Sequence, residues 1–430
     1  RRELEARLRG RDLLGLAATN ALELGVDIEA LDAVLISGWP GTRASLWQQA
    51  GRAGRRGGDA LAAFIARDDP LDTYLAHHPE AIFGQSVEAT VLDPENPYIL
   101  GPHLCAAAQE LPLTREDLTL FGPSMEGTLD DLVSRKLLRK RPRGWFWTGV
   151  DRASDLADIR GSGGPPVQIV DTGSGQLLGE IDESAAHGTV HPGAVYLHRG
   201  ATYLVDDLDL EEGVALVRPG EPPYSTWARD TTDISIRSVR REETWPGGAT
   251  VHFGEVEVVQ QVVGFLKRDV RTGEVLGEQA LELPERPLHT RAVWWTLAPE
   301  GEERLRKEDV GLLGAAHAAE HASIGLLPLL ATCDRWDIGG VSTSVHADTG
   351  RLTVFVYDGH QGGAGFAERG YDVAREWLTA TRDAIAGCEC TKGCPSCIQS
   401  PKCGNGNEPL NKAGALRLLD EVLREEAAQP

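Results

Sequence analysis

The spacing of apolar residues changes along the chain and divides it into four stretches. A charged helical segment at residues 3–9 precedes an apolar run at 33–36. Pro40, Gly41 and Thr42 then turn the chain toward a helix capped near Ser45, and a further strand is expected at 60–66. Strand alternating with helix predicts an α/β segment over residues 1–80. A linker follows within 80–100, where Asn96-Pro97 and Gly101-Pro102 mark turns near a helical start. Helices are expected at 103–111, from Thr114 onward and at 129–138, followed by a hairpin at 139–147. Three helices and a hairpin make a winged helix, assigned to 81–155. Past the flexible break at 161–166, short alternating runs at 167–170, 194–198, 202–205 and 214–217, and longer ones at 251–258 and 262–267, predict a β-rich domain over 166–300, as a small barrel. A helix at 312–322, an apolar stretch at 326–330 broken by Pro328, and a strand at 352–358 belong to a last domain, 301–430. The expected class is multidomain, α/β and α+β.

Composition sharpens this picture at two points. Hydrophobic residues make up 41% and charged residues 25% of the 430, enough to fill several cores and too apolar for a disordered tail. No apolar run reaches the ~18 residues of a membrane span, and Arg1 and Arg2 lead into no signal-peptide core. A cytoplasmic, nucleoid-associated protein without a membrane partner is expected. The formal net charge of −22 argues against a surface that wraps DNA, because nonspecific binding neutralises phosphates with Lys and Arg. It leaves room for a basic lining along one channel.

Such a lining is visible. Arg135, Lys136, Arg139, Lys140, Arg141 and Arg143 form the most basic patch of the chain, beside Trp145, Phe146 and Trp147. Cations for phosphates and rings for bases suit single-stranded or forked DNA; the alternative is a solvated helix end above core aromatics. Tyr224, Trp227, Arg229 and Asp230 form a weaker candidate of the same kind.

Of seven cysteines, Cys388, Cys390, Cys394, Cys397 and Cys403 fall within sixteen residues, a density that points to metal rather than disulfides in a reducing compartment. Cys394-x-x-Cys397, with Gly393 and Pro395 shaping the turn, is a zinc-knuckle spacing. Cys388 and Cys390 are chosen to complete the tetrahedron, and Cys403 is the reserve ligand, able to replace Cys388. Metal-free redox pairing is the alternative. Cys105 and Cys333 read as small buried residues.

His317, Glu320 and His321 spell His-x-x-Glu-His, whose histidines share a helix face and could grip zinc as in a hydrolase, although no third ligand can be picked out. His187, His191 and His198 lack completing ligands. The strand at 352–358 runs into a glycine turn at 359–365, which could offer amides to an anion or simply allow close packing; packing is preferred.

Residues 18–28 resemble motif V of superfamily 2 helicases, and residues 48–57, containing Gln48, Gly51, Arg52, Gly54 and Arg55, resemble motif VI; both lie in a second RecA-like domain. The resemblance implies that Arg52 and Arg55 meet nucleotide phosphates across an interdomain cleft with Gln48 nearby. It also implies that Thr19 and Asn20 touch the nucleic-acid backbone and that Gly25 and Asp27 couple that contact to ATP. Two guanidinium forks three residues apart on a helix face would suit an arginine-finger role. No Gly-x-x-x-x-Gly-Lys-Ser/Thr loop and no Asp-Glu-x-His occur in the 430 residues, so this chain alone is expected not to hydrolyse ATP, with Mg2+ and the phosphate cradle held elsewhere. Cys333-Asp334-Arg335, residues 337–340, Tyr357-Asp358 with its glycine turn, the cysteines, and residues 403–407 leading to 410–412 are similar to the zinc-binding C-terminal domain of MrfA/YprA-like and Hrq1-like DEAD/DEAH-type helicases. That family implies a DNA-repair motor moving 3′ to 5′, with repair proteins as partners. The competing readings are a non-catalytic accessory region that binds DNA or a repair partner, and a zinc hydrolase.

Overall fold

The computed structural model describes the chain apart from residues 1, 11, 21–22, 24–30, 55–58, 89, 158–164 and 426–430. Near the N-terminus, Ala33–Ser37 and Leu61–Ile65 pair in parallel, joined through the helix Arg43–Ala50. Thr42 caps that helix by accepting the Ser45 amide at 3.0 Å, the short polar side chain an N-terminus favours. The helix stops at Ala50, with Gly51 as its cap. Arg52 therefore lies in the turn beyond the helix, not on a helical face.

The next unit has its helices at Pro97–Glu110, Leu118–Phe121 and Met125–Ser134, followed by the antiparallel pair Leu138–Arg141 and Gly144–Trp147. Its first helix starts six residues before the expected 103 because Asn96 caps it and Pro97 occupies the first turn. Its third ends at Ser134 rather than 138: Lys136 adopts φ +61° and the chain turns into the strand. Gly144 has φ +129°, and a Cβ there would overlap the Leu113 carbonyl oxygen, so this turn requires glycine. Leu104, Met125, Leu129, Leu132, Leu138 and Trp145 fill the core.

The β-rich middle is two sheets rather than one barrel. Five strands, in the order Leu177–Ile181, Val167–Asp171, Val214–Pro219, Ala201–Asp209, Val195–His198, form an open sheet accompanied by the helix Glu183–Thr189. Tyr224–Thr244 and Thr250–Asp269 then form a hairpin of 21- and 20-residue strands. Its second strand pairs with Arg286–Thr296, which pairs with Thr353–Asp358, which pairs with Ile338–Thr343. The boundary expected at residue 300 thus cuts across one continuous sheet. Alternation along Arg286–Thr296 sends Trp294 and Trp295 to separate cores on opposite faces; burying each stabilises the sheet by about 4–6 kcal/mol at ~25 cal/mol per Å2.

Against one face lies Leu312–Leu326, in which all but Leu313 are buried. A helix buried on nearly every side belongs at the centre of a domain, and its polar residues His317, Glu320, His321 and Ser323 are buried with it. Its small residues admit neighbours closely: a Cβ on Gly325 would meet Pro70 at 3.1 Å, and one on Gly314 would meet Asn411 at 3.3 Å. Ala374–Gly387 and Lys412–Val422 pack beside it, and the helix Pro70–His77 docks on the same core. Among the described residues no helix is long and apolar enough to cross a membrane.

Candidate metal centre and nucleic-acid interface

The helix Ala374–Gly387 delivers the chain directly into Cys388 and Cys390. Cys394 begins a tight turn, its carbonyl accepting the amides of Cys397 and Ile398 at 3.1 Å each. Gly393 has φ +113°, and a Cβ on it would strike the Ile398 side chain. The Sγ atoms of Cys388 and Cys394 are 3.6 Å apart, those of Cys390 and Cys397 3.5 Å, and those of Cys394 and Cys397 3.9 Å. Zinc–sulfur bonds of about 2.3 Å set tetrahedron edges of about 3.8 Å, so these four sulfurs fit one zinc ion. Four thiolates close its coordination, which makes the zinc structural.

The surroundings act on the four thiols in opposite directions. Burial pushes the Cys397 and Cys394 thiols up. At Cys390 burial is outweighed by hydrogen bonds from Cys397, Cys388 and Cys394, which draw its thiol down to about 7. The buried Lys412 donates to the carbonyls of Cys388 and Cys390, both at 2.6 Å, and reaches the Cys390 sulfur at 3.4 Å. Lysine is a poor advertisement for a metal site in a sequence, and its 22-residue separation from Cys390 hides the contact. Cys403, expected as the reserve ligand, stands apart from this cluster: its sulfur is 3.5 Å from His317 Nε2, and it groups with His317 and His321. Glu320 does not join them. Its carboxyl is buried against Gly340 and Ser342, and burial raises it to about 7. The two histidines of the His-x-x-Glu-His run thus meet Cys403, while the Glu320 carboxyl is engaged by Ser342.

In the N-terminal segment, Glu23 ties the motif V and motif VI stretches together. Its carboxylate accepts from Ser45 Oγ at 2.7 Å and Gln49 Nε2 at 2.9 Å, and its carbonyl accepts from the Arg52 guanidinium. Sequence reasoning passes over Glu23 because a lone glutamate carries no motif signal of its own. Thr19, Asn20 and Gln48 present exposed side chains. Gly25, Asp27 and Arg55 lie outside the described residues.

On the winged helix, Arg135, Lys136, Arg139, Lys140, Arg141 and Arg143 are all exposed, a cationic strip on an otherwise acidic chain. Trp145 is buried in the core, with Lys140 Nζ 5.2 Å from its ring centre, and Trp147 donates to the Asp151 carbonyl. Those two rings serve packing, leaving the cations and the half-buried Phe146 as the chemistry of this edge. The glycine turn at 359–365 is likewise occupied from within: the buried Asp358 carboxylate accepts the amides of Ala364, Gly365 and Ala367 at 2.7–2.9 Å. Asn96 Nδ2 closes over the same turn, donating to the carbonyls of Gln361 and Gly363 at 2.7 Å.

Three family models match the chain: the helicase conserved C-terminal domain over residues 1–57, the winged helix domain of the ATP-dependent helicase HRQ1 over 92–162, and the MrfA Zn-binding domain over 319–398. The uncharacterized ATP-dependent helicase YprA of Bacillus subtilis is 35% identical over 98% of this chain and 56% of its own length. The ATP-dependent helicase HRQ1 of Saccharomyces cerevisiae is 29% identical over 98% of this chain and 41% of its own. A crystal structure of the DUF1998 helicase MrfA bound to DNA and AMPPNP superposes with a TM-score of 0.57 at 34% identity, covering 97% of this chain and 54% of that one. The chain thus spans about half the length of these relatives. With its helicase C-terminal segment, winged helix and four-cysteine zinc site in the same order, the chain belongs to the MrfA/Hrq1-like helicase family, as a C-terminal region.

Proposed function

We propose that this chain is the C-terminal portion of an ATP-dependent DNA helicase or translocase that moves 3′ to 5′ on single-stranded or forked DNA in DNA repair. The observation that carries the reading is likeness along 97% of the chain to a helicase bound to both DNA and AMPPNP. In this reading Arg52 and Arg55 bring positive charge to the phosphoryl group as the ATP cleft closes, with Gln48, Gly25 and Asp27 around the nucleotide. Thr19 and Asn20 grip the DNA backbone, and Glu23 carries the position of one motif to the other through Ser45, Gln49 and Arg52. The exposed cations Arg139, Lys140, Arg141 and Arg143 hold phosphates on the far side of the DNA. ATP and Mg2+ act only in the intact protein, and the 430 residues alone are inactive.

Steady-state ATP hydrolysis with and without single-stranded DNA tests this. The intact protein should hydrolyse ATP in a DNA-stimulated manner, and the 430-residue chain should not. Robust turnover by the isolated chain, or none by the intact protein with DNA, would overturn the assignment.

A further inference from the structure

A second group of metal-binding side chains lies apart from the four cysteines. His317 and His321, one turn apart on the buried helix Leu312–Leu326, converge with Cys403 from the loop beyond the zinc knuckle, with their ligand atoms all within 4.8 Å of one another. Both imidazoles are oriented from behind. His317 Nδ1 donates to the Pro409 carbonyl at 3.0 Å and His321 Nδ1 to the Ile398 carbonyl at 2.8 Å. A carbonyl can only accept, so each ring carries its proton on Nδ1 and keeps the Nε2 lone pair, the arrangement found behind metal-bound histidines.

The thiol is held in place from its own loop. The Asn407 amide donates to Cys403 Sγ at 3.2 Å, and the Asn407 side chain clamps both the amide and the carbonyl of Ser400. The 3.5 Å between His317 Nε2 and Cys403 Sγ matches the edge of about 3.6 Å that Zn–N bonds of about 2.0–2.1 Å and a Zn–S bond of about 2.3 Å would set. His317 and Cys403 both fall outside the stretch, 319–398, that matches the zinc-binding family model.

We propose that His317, His321 and Cys403 form a second zinc site, with two nitrogens, one sulfur and a fourth position taken by water. The ion ties the central helix to the loop after Cys397, and the Ile398 carbonyl joins the two centres mechanically. Two imidazoles and a thiolate suit zinc or a similar borderline-soft divalent ion and disfavour magnesium or calcium.

Zinc content and the zinc K-edge spectrum of the 430-residue chain, produced with zinc supplementation and freed of loosely held metal, decide the matter. Two zinc ions per chain are expected, with five sulfurs and two histidine nitrogens shared between them. Cys403→Ser and His321→Gln should each reduce the content to one ion and leave an all-sulfur shell. One ion per wild-type chain with only sulfur around it would overturn the proposal, as would a second ion that survives both substitutions. The wild-type measurement stands even if a variant fails to fold.

Discussion

Lys412 shows how the cysteine loop is held from outside its own span. Its ammonium sits between the carbonyls of Cys388 and Cys390, so the first pair of thiols is fixed by a side chain from the following helix. Zinc binding and folding are then coupled, since ligands scattered in the unfolded chain are gathered only by the native loop. Cys394→Ser or Cys397→Ser should release the ion of the four-cysteine site and lower the melting temperature, whereas Cys403→Ser should leave that ion in place. Zinc content read beside thermal unfolding checks both halves; loss of the four-sulfur signal in Cys403→Ser would contradict the ligand set. Much at this scale was legible: ligands two, three and four residues apart announce themselves through spacing. The partner of Cys403 was not, because His317 is 86 residues away and local pattern carries no information about that pairing.

At the scale of elements, the wing and the middle sheet carry separate expectations. Arg139, Lys140 and Arg141 are exposed on a short hairpin whose buried side is made by Leu138 and Trp145. Their joint replacement by alanine should leave the fold intact and weaken DNA binding. The slope of log K against log salt should flatten by about 0.7 for each single-strand phosphate no longer neutralised. Fluorescence anisotropy across a salt series measures it; an unchanged slope would remove the wing from the DNA path.

The unit of the five-stranded sheet meets the long hairpin at His191, in the turn before Val195–His198, and the His191 ring lies tilted against Phe265 with ring centres 4.6 Å apart. Burial holds the His191 imidazole below its ordinary 6.5, and burial with the Arg286 charge does the same for His187. Below pH 6.5 the unfolded chain takes up protons that the folded one refuses, so stability is full above that value and falls as the pH drops through it. His191→Phe should flatten part of that decline in melting temperature between about pH 7 and about pH 5. An identical pH profile would show that His191 does not contribute. The strands of this region were legible from their period of two, but not their partners. Nothing in the alternation of Arg286–Thr296 says that it pairs with Thr353–Asp358, across the boundary expected at residue 300. The end of the third winged-helix helix was missed for a different reason: Leu137 and Leu138 extend a helical pattern that the left-handed Lys136 interrupts.

In the whole molecule, the zinc domain braces the helicase segment. Ser396, inside the Cys394–Cys397 turn, donates to Asp68 at 3.3 Å, Arg335 pairs with Asp69, and the helix Pro70–His77 packs on the shared core. Asn96 and the ion pair between Asp93 and Arg291 anchor the root of the winged helix to the central sheet in turn. These contacts tie the helicase segment to the zinc domain and the root of the winged helix to the central sheet. The order of these parts was legible from the motifs, while the contacts that unite them join residues hundreds of positions apart.

The central claim, an ATP-driven DNA motor, is tested most directly by strand displacement with the intact protein on duplexes carrying a 3′ or a 5′ single-stranded tail. The account predicts ATP-dependent unwinding of the 3′-tailed duplex alone, reduced about 10³-fold or more by Arg55→Ala without loss of DNA binding. No ATP-dependent displacement on either duplex, or equal rates with and without Arg55, would contradict it.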